Sequence, residues 1–208
     1  MERAVSWVST TAKNSHGKPS APAQLVVGLL AAAAVSLLAF VVIPVKAPPA
    51  RKRTPPAPFA ALLASLDEGS PVAVSPRSIG VVAGHLKAPV YWAGPRAGYT
   101  LRLRTNWDGN IFLRYLTAGT PLDTRDEAWL TVATYPYKSN PYGELAALAT
   151  RAGYGHRRLA AGRLVVWPPN GREAYFARSG SPVLVEVYDP TRGVAVHEVL
   201  TGQVRSVS

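Results

Sequence analysis

The sequence predicts an α+β domain, an antiparallel sheet with two or three helices, held to a membrane by a single N-terminal transmembrane helix. Three observations carry this expectation. A charge-free apolar stretch, "QLVVGLLAAAAVSLLAFVVIPV", runs from Gln24 to Val45. Beyond it, several short segments alternate apolar and polar residues with the period of a half-buried strand. Among them lie Ser75-Pro76 and Asn140-Pro141, pairs that cap and start helices.

Residues 1–23, "MERAVSWVSTTAKNSHGKPSAPA", are polar with no sustained apolar period and read as a disordered tail. Residues 24–45 span about 30 Å as a helix, the thickness of a bilayer core. About a dozen Leu, Val, Ile and Phe residues favour insertion by roughly 5 kcal/mol. A cleaved signal peptide would have a shorter apolar region and a small-x-small site. Val45-Lys46-Ala47 is a poor version of that site and Pro48 follows it, so an uncleaved anchor is expected. Residues 46–58 form a proline-rich basic linker that reads as a semi-rigid spacer lying against anionic headgroups.

The globular domain is expected over residues 59–208. "PFAALLASLDEGS" leads in as a short helix. Ser75 caps the next helix, on which Ile79, Val82 and Leu86 share a face. "PVYW" starts a strand, and "YTLRLR" and "IFLRYL" form a hairpin across "NWDG". A three-residue loop closed by a Gly bulge puts Tyr99, Leu101, Leu103, Ile111, Leu113 and Tyr115 on one face and Arg102, Arg104 and Arg114 on the other. A two-residue loop would slip the register by one and mix Arg with Leu on both faces, so amphipathicity selects the longer loop. "WLTVATY" is a further strand, and Asn140 caps a helix carrying Leu145 and Leu148 that Gly153 stops. "RLVVW", "EAYFAR" and "VLVEVY" are three more strands. Asp189-Pro190 is expected to cap a last helix ending near Gly202, with "QVRSV" extended after it.

The order helix, Val90-x-Trp92, Tyr99 and Arg102, "IFLRYL" parallels helix, Val165-x-Trp167, Tyr175 and Arg178, "VLVEVY". This suggests an αβββ duplication with helices packed on the sheet.

Charge is uneven. The formal net charge is +11, and seven of the 23 Lys and Arg residues lie before Pro55 against a single acid, Glu2. The absence of cysteine excludes disulfides, thiolate metal sites and a Cys nucleophile.

Three groups are candidate sites. Arg102, Arg104 and Arg114, gathered on one face, suit an anion because each offers a bidentate fork. Pairing with acids from elsewhere is the plainer reading. Among the aromatics Tyr91, Trp92, Trp107, Trp129, Tyr135, Tyr137, Tyr142 and Trp167, the loop tyrosines Tyr135, Tyr137 and Tyr142 best fit a stacking platform. Asp123, Asp126 and Glu127 lie close together in a loop; a solvated turn is the plainer reading, and an enzyme using these acids is the alternative. No metal spacing joins His16, His85, His156 and His197, and no nucleophile elbow, phosphate loop or dinucleotide fingerprint occurs. No cofactor is expected. The expected partners are the lipid bilayer and either an anionic envelope polymer or another envelope protein; no nucleic-acid signature accompanies the arginines.

At "PVYWAGPRAGYTLRLRTNWDGNIFLRYL", "LTVATYP" and "VEVYDPTRGVAVHEVLTGQV" the chain resembles a group of bacterial membrane-anchored or exported proteins of unknown function. The resemblance covers residues 75–207. It implies an envelope-associated domain and supplies no catalytic residues.

Topology is the remaining expectation. Arg3, Lys13 and Lys18 precede the apolar span and Lys46, Arg51, Lys52 and Arg53 follow it. That count mildly favours a cytoplasmic domain, but long domains translocate largely regardless of charge. A short basic tail before a first apolar segment is the form of a signal anchor, so the domain is expected outside the cytoplasm.

Overall fold

The computed structural model describes residues 57–125 and 128–207. The tail, the apolar span and most of the linker lie outside the described residues. Among the described residues no helix is long and apolar enough to cross a membrane.

The domain is α+β, with an antiparallel sheet and four helices, one more than the upper expectation. The elements are α1 (Ala57–Asp67), β1 (Val72–Val74), α2 (Pro76–Leu86), β2 (Val90–Trp92), β3 (Tyr99–Thr105), β4 (Ile111–Thr117), β5 (Thr131–Pro136), α3 (Pro141–Leu148), β6 (Gly155–Leu159), β7 (Arg163–Trp167), β8 (Glu173–Arg178), β9 (Val183–Tyr188), α4 (Val194–Leu200) and β10 (Arg205–Val207). Eight strands make one sheet in the order β1-β3-β4-β5-β9-β8-β7-β6, and β2 pairs with β10 separately.

The β3–β4 hairpin has the register that amphipathicity selected. Leu101 faces Tyr115, Leu103 faces Leu113, and Arg102 faces Arg114. Asn106 N–H donates to Asn110 O and Gly109 N–H donates to Asn106 O, enclosing a three-residue loop. Gly109 has φ +78°, the left-handed conformation that a bulge needs and a side chain resists.

The α2 start is also as expected. Ser75 Oγ accepts from Ser78 N–H at 3.2 Å, and Ser78 Oγ accepts from Ser75 N–H at 2.7 Å. This reciprocal box satisfies two donors that the first turn would leave bare. Ser75→Ala is expected to lower stability by about 1 kcal/mol, read as a shifted urea midpoint.

The sheet's inner face carries the main core. Leu103, Leu113, Tyr115, Val132, Val165 and Val187 are fully enclosed there beneath residues of α1, α2, α4 and β2. Tyr115 ties β4 to β2: its hydroxyl donates to Gly94 O at 3.0 Å and accepts from Ala93 N–H at 2.7 Å. The outer face is covered differently. α3 lays Leu145 and Leu148 over Leu164, Val166, Ala177 and Leu184, the β7–β9 end only.

Two expectations change. The last helix begins at Val194, after Gly193 at φ +85°, and not at Asp189-Pro190. Asp189 Oδ1 accepts from Thr191 N–H at 2.8 Å and so caps a turn. The αβββ units are not structural units, because β2 leaves the main sheet to pair with β10, whereas β7 lies within it. Val90 and Trp92 share a buried face, and so do Val165 and Trp167. The shared Val-x-Trp pattern is therefore simple strand alternation. The sheet has instead a mirrored order about the β5–β9 pair, with β4 and β8 next and β3 and β7 beyond.

Candidate functional site

Register brings the sequence candidates onto one surface. Paired residues of neighbouring strands share a face. Arg102 pairs with Arg114, Arg114 with Thr131, Thr131 with Tyr188, and Tyr188 with Glu173. A second row runs Arg104, Phe112, Ala133, Glu186, Tyr175. Both rows lie on the outer face and both pass from arginine on β3 to carboxylate on β8 or β9. At one strand spacing per step, Arg104 and Glu186 stand about 14 Å apart. Among the described residues, α3 covers the β7–β9 end of this side and reaches β5 only at Tyr135, and no helix lies against the outer face of β3 or β4.

At the carboxylate end, Tyr135 donates to Glu186 Oε2 at 2.6 Å. Tyr175 donates to Glu173 Oε2 at 3.0 Å and lies 3.5 Å from Glu186 Oε1. Burial raises the Glu186 pKa and the neighbouring Glu173 raises it further, while the Tyr135 and Tyr175 hydroxyls act in the opposite sense. Burial is likewise the largest cause of the raised Tyr135 and Tyr175 pKa values, with Glu186 next. Tyr137 is raised by burial and then by Glu144 and Glu186. Tyr135, Tyr137 and Tyr142 all pack against the small core beneath α3. The expected aromatic loop is therefore not a loop: Tyr135 lies on β5, Tyr142 on α3 and only Tyr137 between them, and the three meet as half-buried packing against the same apolar cluster, with Tyr135 alone reaching the carboxylates.

The arginine end is partly consumed by the fold. Arg104 is exposed and Arg114 half-buried, but Arg102 is only 7% exposed. Its Nη1 donates to Thr124 O at 3.0 Å, so the loop after β4 folds across it. Burial lowers the Arg102 pKa, Arg114 and Arg104 lower it further, and Asp123 opposes them. Asp123 thus faces the arginine cluster, which joins the acidic loop to the same surface. Asp126 and Glu127 lie outside the described residues. Of the remaining aromatics, Trp92 is core, whereas Trp107 on the hairpin tip is 93% exposed.

The sequence reading missed Glu173 and Glu186. Glu186 was visible as a lone carboxylate between valines in "VLVEVY", a pattern that demands a polar partner across the strands. For an acid whose folded pKa is raised, stability is greatest below the ordinary carboxylate value and falls as pH rises through the folded one. Glu186→Gln is therefore expected to be at least as stable as the wild type at pH 7, because an amide oxygen still accepts from Tyr135. It should also lose the gain in stability on acidification. Denaturant midpoints at pH 4 and pH 7 check both.

No family model, no curated protein and no solved structure matches this chain. The functional reading rests on the residues themselves.

Proposed function

We propose that the chain is a single-pass membrane protein whose C-terminal domain lies outside the cytoplasm and serves as a non-catalytic binding module of the cell envelope. The observation that carries the binding role is the charge-graded outer face, with Arg104 and Phe112 at one end and half-buried Glu173 at the other, the Glu186 carboxylate being held inside by Tyr135 and Tyr175. A polyanion would be attracted at one end and repelled at the other. A polypeptide segment bearing both charges matches the whole face, so another envelope protein is the partner that this surface suits best. Its aromatic residues add stacking area at little entropic cost. The competing reading is an envelope enzyme acting through Asp123, Asp126 and Glu127. The position of Asp123 against the arginines favours a role for it in seating the loop.

A reporter fused after Ser208 tests the topology. Activity only from an export-dependent reporter supports the proposal, and activity only from a cytoplasmic one overturns it. A photo-crosslinking residue at position 112 tests the surface in intact cells. A defined adduct, lost on Arg104→Glu and absent with the crosslinker at exposed Ala64, supports the face. Identical adducts from both positions would reject it.

A further inference from the structure

The sheet's other edge holds a cleft of about 850 Å³ between β6–β7 and α4. Its walls include Tyr154, Trp167, Pro168, Val196 and Leu200, and its cations are Arg157 and Arg192, with the His197 imidazole beside them. None of its lining residues is an Asp or Glu. Arg192 Nη2 donates to Pro169 O at 3.3 Å, which holds that guanidinium at the cleft while its other nitrogens remain to bind elsewhere. Gly155 pairs with Trp167 across the strands, and the bare glycine lets the indole lie against β6. Four glycines, Gly153, Gly155, Gly171 and Gly193, leave stretches of the lining as bare backbone.

We infer that this cleft binds a small saccharide carrying phosphate or carboxylate. The size is that of a small-molecule site. Arginine forks recognise the oxyanion in a planar, bidentate way, and an indole and a phenol offer flat apolar area to a sugar ring. No carboxylate in the lining offsets the two arginines. The cleft lies away from the charge-graded face, so the inference stands independently of that face's role.

The test is calorimetric titration of the detergent-solubilised full chain with four probes: glucose 1-phosphate, glucuronate, glucose and inorganic phosphate. Binding of either anionic sugar more tightly than both glucose and inorganic phosphate is expected. The better of the two sugars shows whether phosphate or carboxylate is the preferred group. Arg157→Gln and Arg192→Gln, both at exposed positions, should each weaken that binding about tenfold, the effect of losing one charge-assisted contact. Arg77→Gln, on exposed α2 surface, should leave it unchanged. Trp167→Leu should erase the advantage over inorganic phosphate; should that variant misfold, Tyr154→Leu asks the same question. No binding of either sugar at millimolar concentration would overturn the inference. So would inorganic phosphate binding as tightly as the sugars, or unchanged affinity in the Arg157→Gln/Arg192→Gln double variant.

Discussion

Gly155→Ala is expected to destabilise the domain by about 2–3 kcal/mol, the upper range for forcing a methyl into packed space. A Cβ on residue 155 would meet the Trp167 ring at Cε2, Nε1 and Cζ2, well inside contact distance. The main core holds one side of the half-buried indole, so the ring can yield only toward the cleft and loses that packing if it does. β6 gives way with it, being an edge strand whose sheet neighbour among the described residues is β7 alone. A valine at 155 should detach β6 altogether. Urea unfolding measures the loss, and the double variant Gly155→Ala/Trp167→Leu identifies the cause. If the ring is the obstacle, the double variant loses less stability than the two single changes added together. A Gly155→Ala protein within about 0.5 kcal/mol of wild type would show that the strand tolerates the methyl, the range of an ordinary surface change.

Alkaline pH should destabilise the domain steeply through its buried tyrosines. Burial pushes the Tyr115 pKa up to about 12 from an ordinary 10. The neutral hydroxyl is thus favoured in the fold, while the unfolded chain ionises near 10. Stability is fully present below pH 10 and is lost as pH climbs toward 12, by about 2–3 kcal/mol from this residue alone. Tyr135 and Tyr175 are raised in the same sense and deepen the loss. Tyr115→Phe should flatten part of the slope. It should also cost about 1–2 kcal/mol at neutral pH, because Ala93 N–H and Gly94 O lose their shared partner. Denaturant midpoints at pH 8, 10 and 11 give the slope, and ultraviolet difference spectra follow the ionisation. Ionisation of all nine tyrosines in the folded chain by pH 10.5 would contradict the account.

How much could be read in advance depended on whether the signal was local. The β3–β4 hairpin was legible down to its register, because only one pairing separates Leu from Arg. The α2 and α3 starts were legible from Ser75-Pro76 and Asn140-Pro141, since capping is settled within four residues. β6 was not legible. "GHRRL" is an edge strand whose three central residues are exposed, so it carries no apolar alternation. β1 is three residues long, too short for a period to show. The last helix was placed early because Asp-Pro satisfies a turn as readily as a helix start.

The sequence by itself determined the local geometry: strand faces, helix caps, the Gly109 bulge and the arginines' shared side. It also determined that Tyr135, Tyr137 and Tyr142 would be neighbours, since they lie within eight positions of one another. Only the tertiary structure decided that arginines and carboxylates would end the same cross-strand rows. That arrangement depends on β5 pairing with β9, whose partnered residues Thr134 and Val185 lie far apart along the chain. It likewise decided that Arg102 would be buried beneath Thr124, and that Gly155 and Trp167 would bring two loops and α4 together around a cleft. Backbone and cap preferences act between near neighbours and leave a pattern in the residues. Strand pairing across half the domain is selected by the burial of the whole inner face, to which each residue contributes only a small share.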